Sequence, residues 1–136
     1  MRIKQDILEA IENSSIELLE LESEECIFIR KKIVQLYCKP NSSGDVLWEN
    51  FKEYRHISGS DGWRLIKKYI NSKCVLFFNK SDDKAMLLVN SGEDLEYILS
   101  ETYGFEFYVT DLECSYLFCF NHHDILYGCG LASEWI

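Results

Sequence analysis

The densest chemistry in the chain sits in four consecutive residues, Asn121-His122-His123-Asp124, which hold two of the three histidines. Imidazole and carboxylate groups this close can act as general acid and base, or as metal ligands. Either role needs a further element brought near by the fold: a nucleophile, an oxyanion hole or more ligands. The sequence does not place one. The same four residues also fit a hairpin tip, in which Asn121 and Asp124 satisfy turn backbone groups. A recognition loop is the third reading.

Six cysteines, Cys26, Cys38, Cys74, Cys114, Cys119 and Cys129, raise the question of metal or disulfide chemistry. A zinc set would draw on Cys114, Cys119, His122, His123 and Cys129. Their C-x4-C-x2-H spacing matches no standard knuckle, no C-x-x-C is present, and strand alternation sends neighbours to opposite faces. Most of the thiols lie in apolar runs such as Cys74-Val75-Leu76-Phe77-Phe78. There a free cysteine packs as a small hydrophobe. Reduced core thiols, no metal and no other cofactor are the expectation. Asp61, Asp82 and Asp83 lack EF-hand spacing, and Asp82 and Asp83 read as turn residues. Gly59-Ser60-Asp61-Gly62 has neither the Lys-Ser/Thr of a phosphate loop nor G-x-G-x-x-G. G-x-S-x-G and H-E-x-x-H are also missing, so the reading is a binding protein rather than an enzyme. Trp48, Trp63 and Trp135 flank helix ends or loops and are expected to pack in the core.

The charges are sorted along the chain. The formal net charge is −9 over 136 residues. Residues 5–29 carry eight acids and no Lys or Arg, residues 30–84 carry twelve basic residues against six acids, and residues 85–136 carry nine acids and no Lys or Arg. Lys84 is the last basic side chain. Phosphate binding needs Lys and Arg to release counterions, so a surface built from the C-terminal half repels nucleic acid. It attracts a basic protein and speeds the encounter. A negative surface also serves plain solubility. Arg30-Lys31-Lys32 and Lys67-Lys68 read as solvated helix faces. No apolar run approaches the ~18–20 residues of a membrane span, and Met1-Arg2-Ile3-Lys4-Gln5-Asp6 lacks the apolar stretch of a signal peptide. A soluble, cytoplasmic protein with no membrane or nucleic-acid partner is expected.

The elements that must position these residues follow from periodicity. Ile3, Ile7, Leu8 and Ile11 share a helical face, predicting a helix over Lys4–Glu12. Leu18, Leu19 and Leu21 read as a short turn continuing that face. Cys26, Ile29, Ile33, Leu36 and Tyr37 predict a second helix over Glu24–Cys38, ended by the breaker run Pro40-Asn41-Ser42-Ser43-Gly44-Asp45, with a strand over Cys26-Ile27-Phe28-Ile29 as the alternative. Leu47 to Phe51 is one apolar turn, and residues 52–62 read as loop. Trp63, Ile66 and Ile70 predict a third helix over Gly62–Asn71. Cys74–Phe78 and Ala85–Val89 form a hairpin. Ser91, with Asp94 three residues on, caps a helix that buries Leu95, Ile98 and Leu99 and stops at Gly104. Phe105, Phe107 and Val109 alternate with Glu106, Tyr108 and Thr110 in a half-exposed strand. Tyr116–Phe120 and Ile125–Tyr127 follow as strands, with residues 131–136 as a closing turn. The result is a single α+β domain over residues 1–136, an antiparallel sheet of four to five strands with N-terminal helices and one inserted helix packed on it.

The stretch Phe118-Cys119-Phe120-Asn121-His122-His123-Asp124, with Gly128-Cys129-Gly130 and Ala132-Ser133-Glu134-Trp135 after it, resembles the tail of a family of small bacterial proteins. Small acidic α+β proteins of this kind are similar to the immunity proteins of polymorphic toxin and contact-dependent inhibition systems. The resemblance runs from Trp63 onward and is specific in the tail. It implies a stoichiometric inhibitor of a cognate toxin domain, of which many are nucleases with basic clefts. The expected partner-binding residues are Glu93, Asp94, Glu96, Glu101, His122, His123 and Asp124. The alternative is a small ligand-binding domain or enzyme built on His122, His123 and Asp124.

Overall fold

Cys74-Val75-Leu76-Phe77 has no polar side chain to turn toward water, so a strand made from it needs cover on both faces. That demand shapes the whole molecule. The computed structural model describes residues 2–42 and 45–136; Met1, and the Ser43-Gly44 part of the expected breaker run, lie outside them. Among the described residues the order is α1 (Arg2–Ala10), β1 (Leu18–Glu20), α2 (Ser23–Tyr37), a 3-10 turn (Leu47–Asn50), β2 (Arg55–Ser58), a second 3-10 turn (Gly62–Leu65), α3 (Ile66–Tyr69), β3 (Cys74–Phe77), β4 (Met86–Val89), α4 (Gly92–Glu101), β5 (Phe107–Thr110), β6 (Tyr116–Phe120), β7 (Ile125–Gly130) and α5 (Leu131–Trp135).

The strands form one sheet in the order β1-β4-β3-β5-β6-β7-β2, with every neighbouring pair antiparallel. The α+β class holds, but the sheet has seven strands rather than four to five. The two extra strands, β1 and β2, are its edges. They escape sequence reading for a physical reason. Edge strands are short and partly solvated, and so show neither an apolar run nor clean alternation. Leu19 is exposed in β1, and Arg55, His56 and Ser58 are exposed in β2. The turn expected at 18–21 and the loop expected at 52–62 are corrected accordingly.

Strand alternation sends side chains into two cores. Cys74, Leu76, Phe78, Leu87, Val89, Val109 and Phe118 join Ile3 and Ile7 of α1, Ile66 of α3 and Leu95 and Ile98 of α4. Val75, Phe77, Met86, Leu88, Tyr108, Leu117 and Cys119 face Ile29, Ile33 and Tyr37 of α2, with Leu47 and Phe51. Of the strand expected to be half-exposed, the part that forms β5 is buried throughout, including Tyr108 and Thr110, whereas Phe105 and Glu106 before it are half-buried. The polar positions of the run are buried because α2 and the first 3-10 turn cover the second face, and their polar atoms are satisfied inside. Thr110 Oγ1 donates to the Tyr116 carbonyl at 2.5 Å.

Other boundaries move modestly. The expected third helix splits into the second 3-10 turn and the single helical turn α3. Ser91 caps α4 as expected, its Oγ accepting the Asp94 amide at 3.1 Å, although the helix stops with Thr102 as its cap rather than at Gly104. Asp83 is more than a turn residue. It is buried, and its carboxylate accepts the Lys4 amide of α1 and the Ala85 amide, each at 3.0 Å, tying the β3–β4 turn to the first helix. All six cysteines are free, and five of them are buried.

The closing turn is the helix α5, folded back onto β7 and β6. Tyr69, Tyr116 and Phe118 surround its Trp135. The fold-back demands glycine. A β-carbon on Gly128 would lie 2.7 Å from the Ala132 carbonyl oxygen, a backbone atom that cannot swing aside. Gly130 holds φ +62 at the helix start, in a region where L side chains are strained. Gly128→Ala is expected to destabilise the chain by about 1–3 kcal/mol. The measurement is urea unfolding, with a lower midpoint and an unchanged slope as the predicted result; an unaltered midpoint would show that α5 docks less closely.

Candidate functional site

The hairpin tip between β6 and β7 is a turn built by Asn121. Its Oδ1 accepts the amides of His123 at 3.0 Å and Ile125 at 3.2 Å, and Asp124 takes a left-handed φ of 58. Asn121 is buried, whereas both histidines are exposed. Their rings lie 3.9 Å apart between centroids, and each meets the Trp48 ring edge-on at 6.1 Å. Trp48 in turn stacks on Tyr127. The tip is therefore propped from the α2 side of the sheet by an aromatic cluster.

The residue that organises this end of the sheet is Glu106, just before β5. Its Oε1 accepts the Trp48 indole N–H at 2.9 Å and the Asn79 amide N–H at 2.8 Å. Its Oε2 accepts the His122 backbone amide at 2.9 Å and faces His122 Nδ1 at 2.5 Å. An ionised carboxylate can only accept. The geometry thus keeps a proton on Nδ1 and leaves Nε2 turned away from Glu106. Behind Glu106, the buried Tyr108 hydroxyl donates to Asn79 Oδ1 at 2.6 Å and accepts the Leu47 and Trp48 amides at 3.0 and 3.3 Å. Glu106, Asn79 and Tyr108 thus join β5, the β3–β4 turn, the first 3-10 turn and the hairpin tip. Burial alone would raise the Glu106 pKa, but the donors from His122, Trp48 and Asn79 outweigh it and hold the carboxyl below its ordinary value.

A cleft of about 900 Å³ opens on the other side of this end of the sheet. It lies between the start of α1, the end of α4 and the hairpin tip. Asp6, Asp82, Glu106 and Asp124 line it, with Arg2 as the cation among the described lining residues, over an apolar floor that includes Phe107 and Phe120. Tyr103 stands on its rim with 93 % of its surface exposed.

The seven residues singled out in the sequence do not form one site. His122 and Asp124 line the cleft, whereas His123 packs against Trp48. Glu93 and Glu101 are exposed on α4; Asp94 and Glu96 are partly buried there, and Glu96 pairs with Lys67 at 3.4 Å. Glu106 was missed because it occupies a polar slot of an alternating strand, where solvent exposure is the default. Its signal was a lone acid within Phe105-Glu106-Phe107-Tyr108, but its partners are Trp48, Asn79 and His122, which are remote in sequence. No group of three or more His, Cys, Asp or Glu suited to a metal occurs among the described residues. The thiols of the zinc reading are desolvated: burial pushes Cys129 up to about 12 and Cys119 well above its ordinary value.

Fold and site together define an α+β protein whose antiparallel sheet is covered on both faces, with a carboxylate-centred polar hub at one end. The chain belongs to a family of unknown function, DUF6756, whose model matches residues 1–134. No curated protein and no solved structure matches it. Among the described residues, no helix is long and apolar enough to cross a membrane.

Two carboxyls bear on acid stability. Glu106 and Asp83 both titrate below their ordinary values of 4.5 and 3.8. For Asp83 burial acts upward, and the hydrogen bonds it accepts, including those from Lys4 and Ala85, outweigh it. As pH falls, the unfolded chain takes up these protons first. The stability they contribute is therefore complete above the unfolded values and drains away as pH drops through the folded ones. Urea midpoints are expected to fall between about pH 5 and pH 3. Glu106→Gln, which presents an N–H₂ to donors, is expected to lower stability at pH 7 by about 1–3 kcal/mol and to flatten the acid slope. Parallel pH profiles for the two proteins would contradict the role of Glu106.

Proposed function

We propose that the chain is a protein-binding inhibitor of the immunity class, which neutralises a basic, nuclease-like toxin domain by direct contact and without turnover. The observation that carries this reading is the acidic cleft with Tyr103 on its rim. A concave, low-dielectric wall with four carboxylates against one arginine focuses a negative field on an incoming Lys or Arg. An exposed tyrosine beside it supplies the anchor type that dominates protein interfaces. Glu93, Tyr97 and Glu101, exposed on α4, extend the same chemistry beyond the cleft. Asp94 and Glu96 contribute less, being partly buried, with Glu96 already paired.

One observation supports a second reading, a small-ligand or acid–base site in the same cleft. His122 is held through Nδ1 by Glu106 while 64 % of its side chain stays exposed, the orientation a general base needs.

The test is capture from lysate of the native strain at low and high salt, followed by growth assays. The expected partner is one basic protein, bound at equal stoichiometry and weakened by salt. Its expression alone arrests growth, and co-expression of this chain relieves the arrest. The double variant Glu93→Lys/Glu101→Lys is expected to weaken binding by about tenfold, since exposed pairs are each worth up to about 1 kcal/mol. His122→Ala removes a ring but no carboxylate from the cleft wall and is expected to cost less affinity than the charge reversals, about twofold. Silent charge reversals, together with lost binding in His122→Ala, would reverse the ranking of the two readings.

A further inference from the structure

A second cleft, of about 720 Å³, lies on the α2 side of the sheet between that helix, the end of β1 and the β3–β4 turn. Its size suits a small molecule. Its electrostatics are the reverse of the first. Arg30, Lys31, Lys80 and Lys84 line it against Glu20, and its apolar wall includes Leu21, Ile27 and Val34. No ion pair involving these four cations occurs among the described residues.

Arg30 is the informative group. The sequence pattern puts it on a solvated face, yet its guanidinium folds back over the Phe77 ring at 5.4 Å and donates from Nη2 to the Phe78 carbonyl at 3.0 Å. Its Nη1 is buried and has no hydrogen-bond partner among the described residues. A guanidinium does not shed its proton, so a partly desolvated positive charge is held at the back of the cleft, where a bound anion offsets its cost. Burial also lowers the Arg30 pKa from its ordinary value, against smaller opposing effects of Tyr108, Cys26 and Asp45.

We propose that this cleft binds a small monoanionic carboxylate carried on an aliphatic chain. The carboxylate is met by Lys80 and Lys84, with the positive charge of Arg30 behind them, while the chain lies along Leu21, Ile27 and Val34. Two features select this chemistry. Glu20 on the wall, although paired with Lys4 at 3.1 Å, keeps a carboxylate beside the site and disfavours a second negative charge on the ligand. The apolar lining rewards an aliphatic chain over a free inorganic ion. The site is separate from the acidic cleft and does not depend on the inhibitor reading.

The experiment is amide NMR titration of the full chain with octanoate, octylammonium and inorganic phosphate. Octanoate is expected to give saturable shifts at Leu21, Arg30 and Ala85; octylammonium is expected to give none, and phosphate weaker ones. The double variant Lys80→Gln/Lys84→Gln alters two exposed turn residues and is expected to fold normally and weaken octanoate by about fivefold to tenfold. Arg30→Lys keeps the charge but loses the planar donor, and is expected to weaken it as well. Absent saturation with octanoate, equal response to octylammonium, tighter phosphate binding, or indifference to the lysine pair would each overturn the proposal.

Discussion

The Glu106 carboxylate accepts four hydrogen bonds, from the Trp48 indole, the Asn79 amide and two nitrogens of His122. These donors come from three separate stretches of chain. A sheet buried on both faces needs its loops fixed where the strands run out, because the covering layers meet there and backbone groups lose water. Glu106 does this at the end where both clefts open. Tyr108 extends the same network inward through Asn79 and the amides of Leu47 and Trp48. A polar network of this kind rigidifies only if its members are satisfied, and these shared contacts satisfy the buried Tyr108 hydroxyl and both oxygens of Glu106.

The β3–β4 turn divides the charge of the molecule. Asp82 faces the acidic cleft, while Lys80 and Lys84 face the cationic one. Asp83 fastens the turn to the start of α1, and Asn79 fastens it to Glu106. The block of basic residues in the middle of the sequence is thus partly gathered on the α2 side. Asp6 of the acidic N-terminal block and Glu106 and Asp124 of the C-terminal one meet in the acidic cleft, although Glu20 of the first block lines the cationic one. The net charge of −9 describes neither surface. The proposed basic partner and the proposed aliphatic anion would approach separate sides of the sheet.

Much of this fold was legible where one element carries its own signal. The helices around Ile3-Ile7, Ile29-Ile33 and Leu95-Ile98, the β3–β4 hairpin and the Ser91 cap all follow from local periodicity or local hydrogen bonding. The strands β1 and β2 were not, because Leu18-Leu19-Glu20 and Arg55-His56-Ile57-Ser58 are edges whose identity is set by their neighbours. The burial of Tyr108 and Thr110 depends on a second covering layer that strand alternation does not reveal. At the tip, the turn role of Asn121 could be read from residue type alone. The binding of His122 to Glu106 and the inward fold of Arg30 could not, since both are fixed by contacts across long sequence separations.

Amide hydrogen exchange in wild type and Glu106→Gln tests the organising role of this carboxylate most directly. Exchange is read at His122, Leu47 and Trp48 and at the Trp48 indole. The account predicts that all four lose protection together in the variant, while amides of the central strands β3 and β5 stay protected. Unchanged protection at His122 and at the indole, or a loss spread evenly over the sheet, would contradict it.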